Sequence, residues 1–220
     1  MSSISEKRIS ILISGRGSNM EAFLKAERRG TLSGRVVRVI SNRPDAAGLA
    51  TASSARVATS VVDHTLYDSR EAFDAALVDV VKQDSPDVVV LAGFMRILTP
   101  VFINAFLGKL VNVHPSLLPN YPGLSTHQRA IDNGDTEAGA TVHYVTNELD
   151  GGPPILQVSV PIEPADDAAS LAARILDVEH VIFPEAINWH LQGRLVHEAD
   201  GAYLDGKKLP PTGTLWEWQA

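Results

Sequence analysis

The chain has 220 residues, 45% of them hydrophobic, with a formal net charge of -7 and no cysteine. That length and apolar fraction fit one α/β domain over residues 1–220, with a core at about 8–195 and a hairpin and tail at 196–220. The acidic balance argues against a general nucleic-acid binder but leaves room for an anionic small molecule, and the missing thiols exclude disulfides, thiolate metal sites and cysteine nucleophiles.

At the N-terminus, residues 9–13 form only a short apolar run, without the longer core and cleavage site of a secretory signal. No stretch approaches the roughly 20 apolar residues that span a bilayer, so a cytoplasmic setting away from membranes is expected. Residues 8–14 read as a buried strand ending at Gly15, and Ser18 or Asn19 is the expected cap of a helix running to Arg29. A second strand at 35–40, a helix at 45–55 and a short strand at 57–62 follow. Ser69 reads as the cap of a helix to Gln83, with Glu71 in its first turn. Residues 87–92 are a continuous apolar strand of the kind buried on both faces. Thr99 and Pro100 open a short helix, and residues 109–113 form a strand cut off by Pro115. Residues 139–146 and 154–161 read as a strand pair around Asp150-Gly151-Gly152. Ser170 is the expected cap of a long helix to Gln192, kinked at Pro184. Residues 194–209 suggest a small hairpin, and the last ten residues are expected to be loose. The alternation implies a Rossmann-like open mixed sheet, parallel in its first half and antiparallel in its second, with helices on both faces.

Two segments carry chemistry. The first strand runs into Ser14-Gly15-Arg16-Gly17-Ser18-Asn19 and then a helix. Glycines permit the tight turn and the helix offers free amides, which suits a phosphate monoester; a turn needing glycine for geometry alone is the simpler alternative. The second strand ends in Ser41-Asn42-Arg43, without the acid of a dinucleotide fold. In residues 110–116, Val111 and Val113 point one way and Asn112 and His114 the other. An amide can stabilise an oxyanion and an imidazole can shuttle protons, while a histidine satisfied by a neighbouring carbonyl would need no chemistry at all. Asp150 is an acid in a tight turn and gains interest only if the fold brings it to His114. Of the remaining histidines, His64, His190 and His197 read as surface residues, and His127, His143 and His180 as candidates to line a pocket. No spacing matches a zinc motif, so no metal is expected.

Gly15-Arg16-Gly17-Ser18-Asn19, residues 90–98, the run Asn112-Val113-His114-Pro115-Ser116 and the run Glu148-Leu149-Asp150-Gly151-Gly152 closely resemble the glycinamide ribonucleotide formyltransferase family. The resemblance implies that Asn112, His114 and Asp150 are catalytic. It implies that Gly17, Ser18 and Asn19 hold the substrate phosphate, and that Glu179 holds its sugar or amine end. It further implies that Met95, Arg96, Ile97, Leu98, Asn112, Thr146, Asn147, Glu148, Leu149 and Asp150 line a site for 10-formyltetrahydrofolate, with Arg70 meeting the folate tail. A homodimer is the family-level expectation. Leu176 stands where a polar substrate contact occurs in some members, and Ser125 where some carry histidine. The alternatives are a formyltetrahydrofolate hydrolase, which carries an extra N-terminal domain whereas the first strand here begins near residue 8, and a non-catalytic nucleotide-binding module, which has no need of Asn112 with His114.

Overall fold

A computed structural model describes residues 6–217. Along the chain it contains β1 (Arg8–Ile13), α1 (Ser18–Arg28), β2 (Arg35–Ser41), α2 (Ala47–Ser54), β3 (Ala58–Val61) and α3 (Arg70–Lys82). These are followed by β4 (Val88–Leu91), α4 (Pro100–Ala105), β5 (Leu110–His114), α5 (Thr126–Asp132), β6 (Glu137–Tyr144) and β7 (Pro154–Pro161). The chain continues through α6 (Ala168–Leu191), β8 (Leu195–Glu198), β9 (Gly201–Leu204), β10 (Lys207–Lys208) and β11 (Thr214–Trp216).

Eight strands form one sheet in the order β11-β7-β6-β5-β4-β1-β2-β3, and β10-β9-β8 form a small second sheet. Strands β3, β2, β1, β4 and β5 run parallel, and β6 turns antiparallel to β5. Period-two alternation explains the layering. Ile9, Ile11 and Ile13 pack with Phe23 of α1 and Ile182 and Phe183 of α6 on one face, where Phe23 meets Phe183 edge-on at 5.2 Å. Leu12, Val89 and Leu91 pack with Phe73 and Leu77 of α3 and Phe102 of α4 on the other. The mixed sheet with helices on both faces is the expected architecture.

The chain steps outward from β1 to β2 and β3, then returns to the opposite side of β1 as β4. Such a reversal opens a crevice beyond the carboxyl ends of the two central strands. The glycine turn follows β1, residues 95–98 follow β4, and Asn112 and His114 end β5, so the sheet order alone gathers these segments.

Several local expectations are corrected. The N-cap of α1 is Gly17, left-handed at φ 75°, and neither Ser18 nor Asn19 caps it. The N-cap of α6 is Asp167; Ser170 sits three residues inside and completes a reciprocal capping box with it. The last ten residues are not all loose, because Thr214–Trp216 pairs in parallel with β7; residues 218–220 lie outside those described. α5 has no counterpart in the sequence reading. His64, His190 and His197 are half-buried rather than on the surface: His190 meets the Tyr144 hydroxyl at 3.1 Å, and His197 lies edge-on to the Tyr144 ring at 5.0 Å.

The turn between β6 and β7 depends on Gly152. A Cβ there would stand 1.8 Å from the Tyr144 carbonyl oxygen, so only glycine lets the two strands close on the turn that carries Asp150. Gly152→Ala should cost about 1–3 kcal/mol as overpacking and lower Tm by roughly 2–4 °C for each kcal/mol. Calorimetry checks this, and an unchanged Tm would mean that the turn relaxes without strain.

Candidate active site

Asn112 and His114 lie on one face at the carboxyl end of β5, while Val111 and Val113 enter the core on the other. The pairing of β5 with β6 sets His143 directly opposite Asn112. The His143 Nδ1 donates to the Tyr144 carbonyl at 2.9 Å, because a carbonyl can only accept. Complete burial pushes the His143 pKa down to about 4, only partly opposed by the bond to the Tyr144 carbonyl and by the Asp150 charge, so at neutral pH its Nε2 bears a lone pair. The group of Asn112 facing that lone pair, at 3.2 Å, must therefore be its NH₂. One N–H of Asn112 is used to hold the side chain in place and the second is left over.

His114 is fixed in the same way. Its Nε2 donates to the Tyr121 carbonyl at 2.9 Å, which leaves Nδ1 facing Asp150 Oδ2 at 3.5 Å. The carbonyl contact belonged to the inert alternative for this histidine, yet here it selects the tautomer and leaves the other ring nitrogen for chemistry. A proton placed between that nitrogen and the carboxylate would be held by both, so the gap can serve as a proton seat. Asp150 is left-handed at φ 51°; its Oδ2 also accepts from the Gly123 amide at 2.8 Å, and its Oδ1 lies 3.9 Å from His143 Nε2. The fold thus brings together Asn112, His114 and Asp150, and adds His143, of which the sequence says only that it can line a pocket. Its signal was present in principle: residue 143 lies in the strand expected at 139–146, but only the cross-strand register reveals its neighbour.

The loop after β5 is held from beneath by buried polar groups. The Thr141 hydroxyl donates to the Ser116 carbonyl at 2.7 Å and accepts from the Leu118 amide and from Gln157. Gln157 also donates to the Leu118 carbonyl at 3.0 Å. These two residues, missed in the sequence, fix the path that delivers the Tyr121 carbonyl and the Gly123 amide.

At the glycine turn, no side chain caps the first amides of α1, and Ser18 is half-buried. An open cleft of about 430 Å³ beside it is lined by Gly15, Arg16, Arg43 and Asp45 among others. Asn19 points inward instead, its Nδ2 donating to Glu179 Oε2 at 2.7 Å, with its own Oδ1 left unpaired. Burial pushes the Glu179 carboxyl up to about 7, and the Asn19 hydrogen bond pulls the other way.

Beyond β4, Met95 and Ile97 are 70% and 62% exposed, and Leu149 in the loop between β6 and β7 is 56% exposed. Leu98 is buried. Arg70 donates to the Ile97 carbonyl at this wall. Thr146 is half-buried, Asn147 and Glu148 are exposed, and Asn147 reaches Asn104 at 3.5 Å. The Arg96 guanidinium lies 5.1 Å above the Phe73 ring of α3. Ser125 is exposed at the left-handed N-cap of α5, and Leu176 is half-buried on α6. Among the described residues, no group of three or more His, Asp or Glu side chains is arranged to hold a metal ion, and no helix is long and apolar enough to cross a membrane.

Residues 7–187 match the family model described as formyl transferase. The phosphoribosylglycinamide formyltransferase of Escherichia coli (strain K12) is 49% identical over 205 residues, covering 93% of this chain and 97% of that protein. The enzyme of the same name from Haemophilus influenzae is 44% identical over 207 residues, covering 94% and 98%. A solved phosphoribosylglycinamide formyltransferase from Coxiella burnetii superposes with a TM-score of 0.93 at 41% identity, covering 97% of this chain and all of the other. With the family model spanning most of its length and relatives this similar end to end, the chain belongs to the formyl transferase family.

Proposed function

We propose that the protein transfers the formyl group of 10-formyltetrahydrofolate to the amine of glycinamide ribonucleotide, giving formylglycinamide ribonucleotide and tetrahydrofolate in de novo purine biosynthesis. The observation that carries this reading is the meeting of Asn112, His114 and Asp150 at the sheet's carboxyl edge, in the crevice that the uncapped glycine turn also borders. The first amides of α1, at Ser18 and its neighbours after Gly17, would receive the phosphate, where helix dipole and free N–H groups favour an anion. Asn19 and Glu179 would meet the sugar or amine end. Met95, Ile97, Leu98 and Leu149 form an apolar wall suited to a flat folate ring, with the backbone of residues 146–148 along its edge and Arg70 toward the tail carboxylates. Cytoplasmic work and a homodimeric assembly belong to the same reading.

In the reaction, the substrate amine attacks the formyl carbon, a C–N bond forms and the carbonyl electrons move to oxygen. The free N–H of Asn112, oriented by His143, donates to that oxyanion. The proton lost by the amine passes to the seat between His114 and Asp150. From there it, or an equivalent proton carried through water, reaches the folate nitrogen as the C–N bond to folate breaks. Water in place of the amine would give a hydrolase, but the uncapped turn favours a phosphorylated acceptor. Purified protein should form formylglycinamide ribonucleotide from the two substrates; folate hydrolysis alone would overturn the assignment.

Asn112→Ala should lower kcat by about 10²–10³-fold, the usual loss of an oxyanion donor, with Tm little changed. Asp150→Asn keeps the shape and the bond from Gly123 but empties the proton seat, so kcat should fall by about 10²–10⁴-fold with much smaller changes in substrate Kd. Activity within threefold of wild type in either variant would return that residue to a structural role.

Glu179 makes a separate claim about pH. Its folded pKa of about 7 lies above the ordinary 4.5, so the native state holds this proton more tightly than the unfolded chain does. The favourable contribution is complete below about 4.5 and is lost as pH rises through about 7, on the order of 3 kcal/mol in all. Glu179→Gln should therefore raise Tm at pH 8 and leave it nearly unchanged at pH 4.5, while raising the KM for the ribonucleotide. Parallel Tm-against-pH curves for variant and wild type would show that burial does not hold the proton.

A further inference from the structure

Ser14 stands between the two halves of the crevice and touches both. It is the last residue before the glycine turn and is 6% exposed. Its hydroxyl accepts from the Met95 amide at 2.8 Å and donates to Asn42 Oδ1 at 2.6 Å. Its own amide donates to the Gly93 carbonyl at 3.2 Å. Asn42 is equally buried at the end of β2 and is braced by His64, whose Nδ1 lies 2.8 Å from the Asn42 carbonyl. One hydroxyl thus ties the first residue of the apolar wall to the last residue before the phosphate turn, and a third strand holds that hydroxyl's single proton in line. Both of its roles are used, as donor once and as acceptor once, so it cannot rotate away without leaving a buried partner unpaired.

We propose that Ser14 is a positioning residue that couples the two substrate sites, so that filling the phosphate turn aligns the folate wall and the reverse. This rests on the functional reading above and extends it. Ordering of Gly15–Gly17 by a bound phosphate fixes the Ser14 backbone. The hydroxyl then fixes the Met95 amide, and through it the start of the wall. Binding energy from a group remote from the reacting atoms is in this way applied to their alignment, where a displacement of about 1 Å can cost two orders of magnitude in rate. The coupling is reciprocal, because each ligand must change the other's affinity by the same factor.

Calorimetry on the full chain tests this, with glycinamide ribonucleotide and a non-reactive folate analogue as probes, each titrated alone and with the other saturating. Wild-type protein should bind each ligand about tenfold more tightly when the other is present, within the usual range for such coupling. Ser14→Ala should reduce that factor to within about twofold of one and lower kcat by roughly 10–100-fold, while each Kd measured alone stays within threefold. Asn42→Ala, which leaves the Ser14 hydroxyl without its acceptor, should lower the factor as well. Asn42→Asp, which keeps the acceptor, should retain it. A folded Ser14→Ala protein with wild-type coupling and kcat would overturn the inference, as would a wild-type protein that binds both ligands independently. A wild-type protein that binds neither ligand would overturn the functional reading itself, and the inference with it.

Discussion

The Asp150 carboxylate is nearly enclosed, and a charge in such a place must be matched by donors that the fold brings to it. The Gly123 amide, from the loop after β5, donates to it at 2.8 Å, and the His114 Nδ1, at the end of β5, faces it at 3.5 Å. The left-handed turn that presents Asp150 exists only because Gly152 lets β6 and β7 close behind it. Much of the surrounding polar structure follows from this one requirement. Thr141 and Gln157 hold the loop that supplies Gly123, and that loop also supplies the Tyr121 carbonyl which sets the His114 tautomer.

The parallel half of the sheet solves a different problem. Its strand order places the ends of β1 and β4 side by side, so the glycine turn and residues 95–98 sit next to each other without any long connection crossing between them. A site that must hold an anionic acceptor and a flat donor, with their reacting atoms a bond length apart, needs this adjacency. The acidic surface is no obstacle, because backbone amides at a helix start provide local positive potential whatever the net charge.

Much of this was legible in the residues. β1 and β4 announce themselves as short apolar runs, and Asn112 with His114 is visible as polar alternation at a strand end, because those patterns depend on near neighbours. The helix starts show the limit of local reading. Ser18 and Ser170 are good capping residues, but Gly17 takes the first cap by turning left-handed, and Asp167 takes the second with Ser170 as its reciprocal partner. α5, with the sequence THQRAID, is too short to display an apolar period, and its N-cap Ser125 is left-handed. Leu215 and its neighbours look like tail until β7 offers them an edge. The sequence shows His143 only as a residue that can line a pocket and the Ser14–Asn42 pair not at all, since their partners lie 31 and 28 positions away in the chain. The stacking of Arg96 on the Phe73 ring is likewise a contact between distant segments that no local pattern shows.

The proposed chemistry depends on which nitrogens carry protons, because the spare N–H of Asn112 exists only if His143 accepts and does not donate at Nε2. Long-range proton–nitrogen NMR spectra of the two imidazoles at neutral pH read this directly. The expected result is a neutral His143 with its proton on Nδ1 and a His114 with a proton on Nε2. A His143 protonated on Nε2 would turn the Asn112 carbonyl toward it, remove the orientation of the oxyanion donor, and contradict the proposed chemistry at its centre.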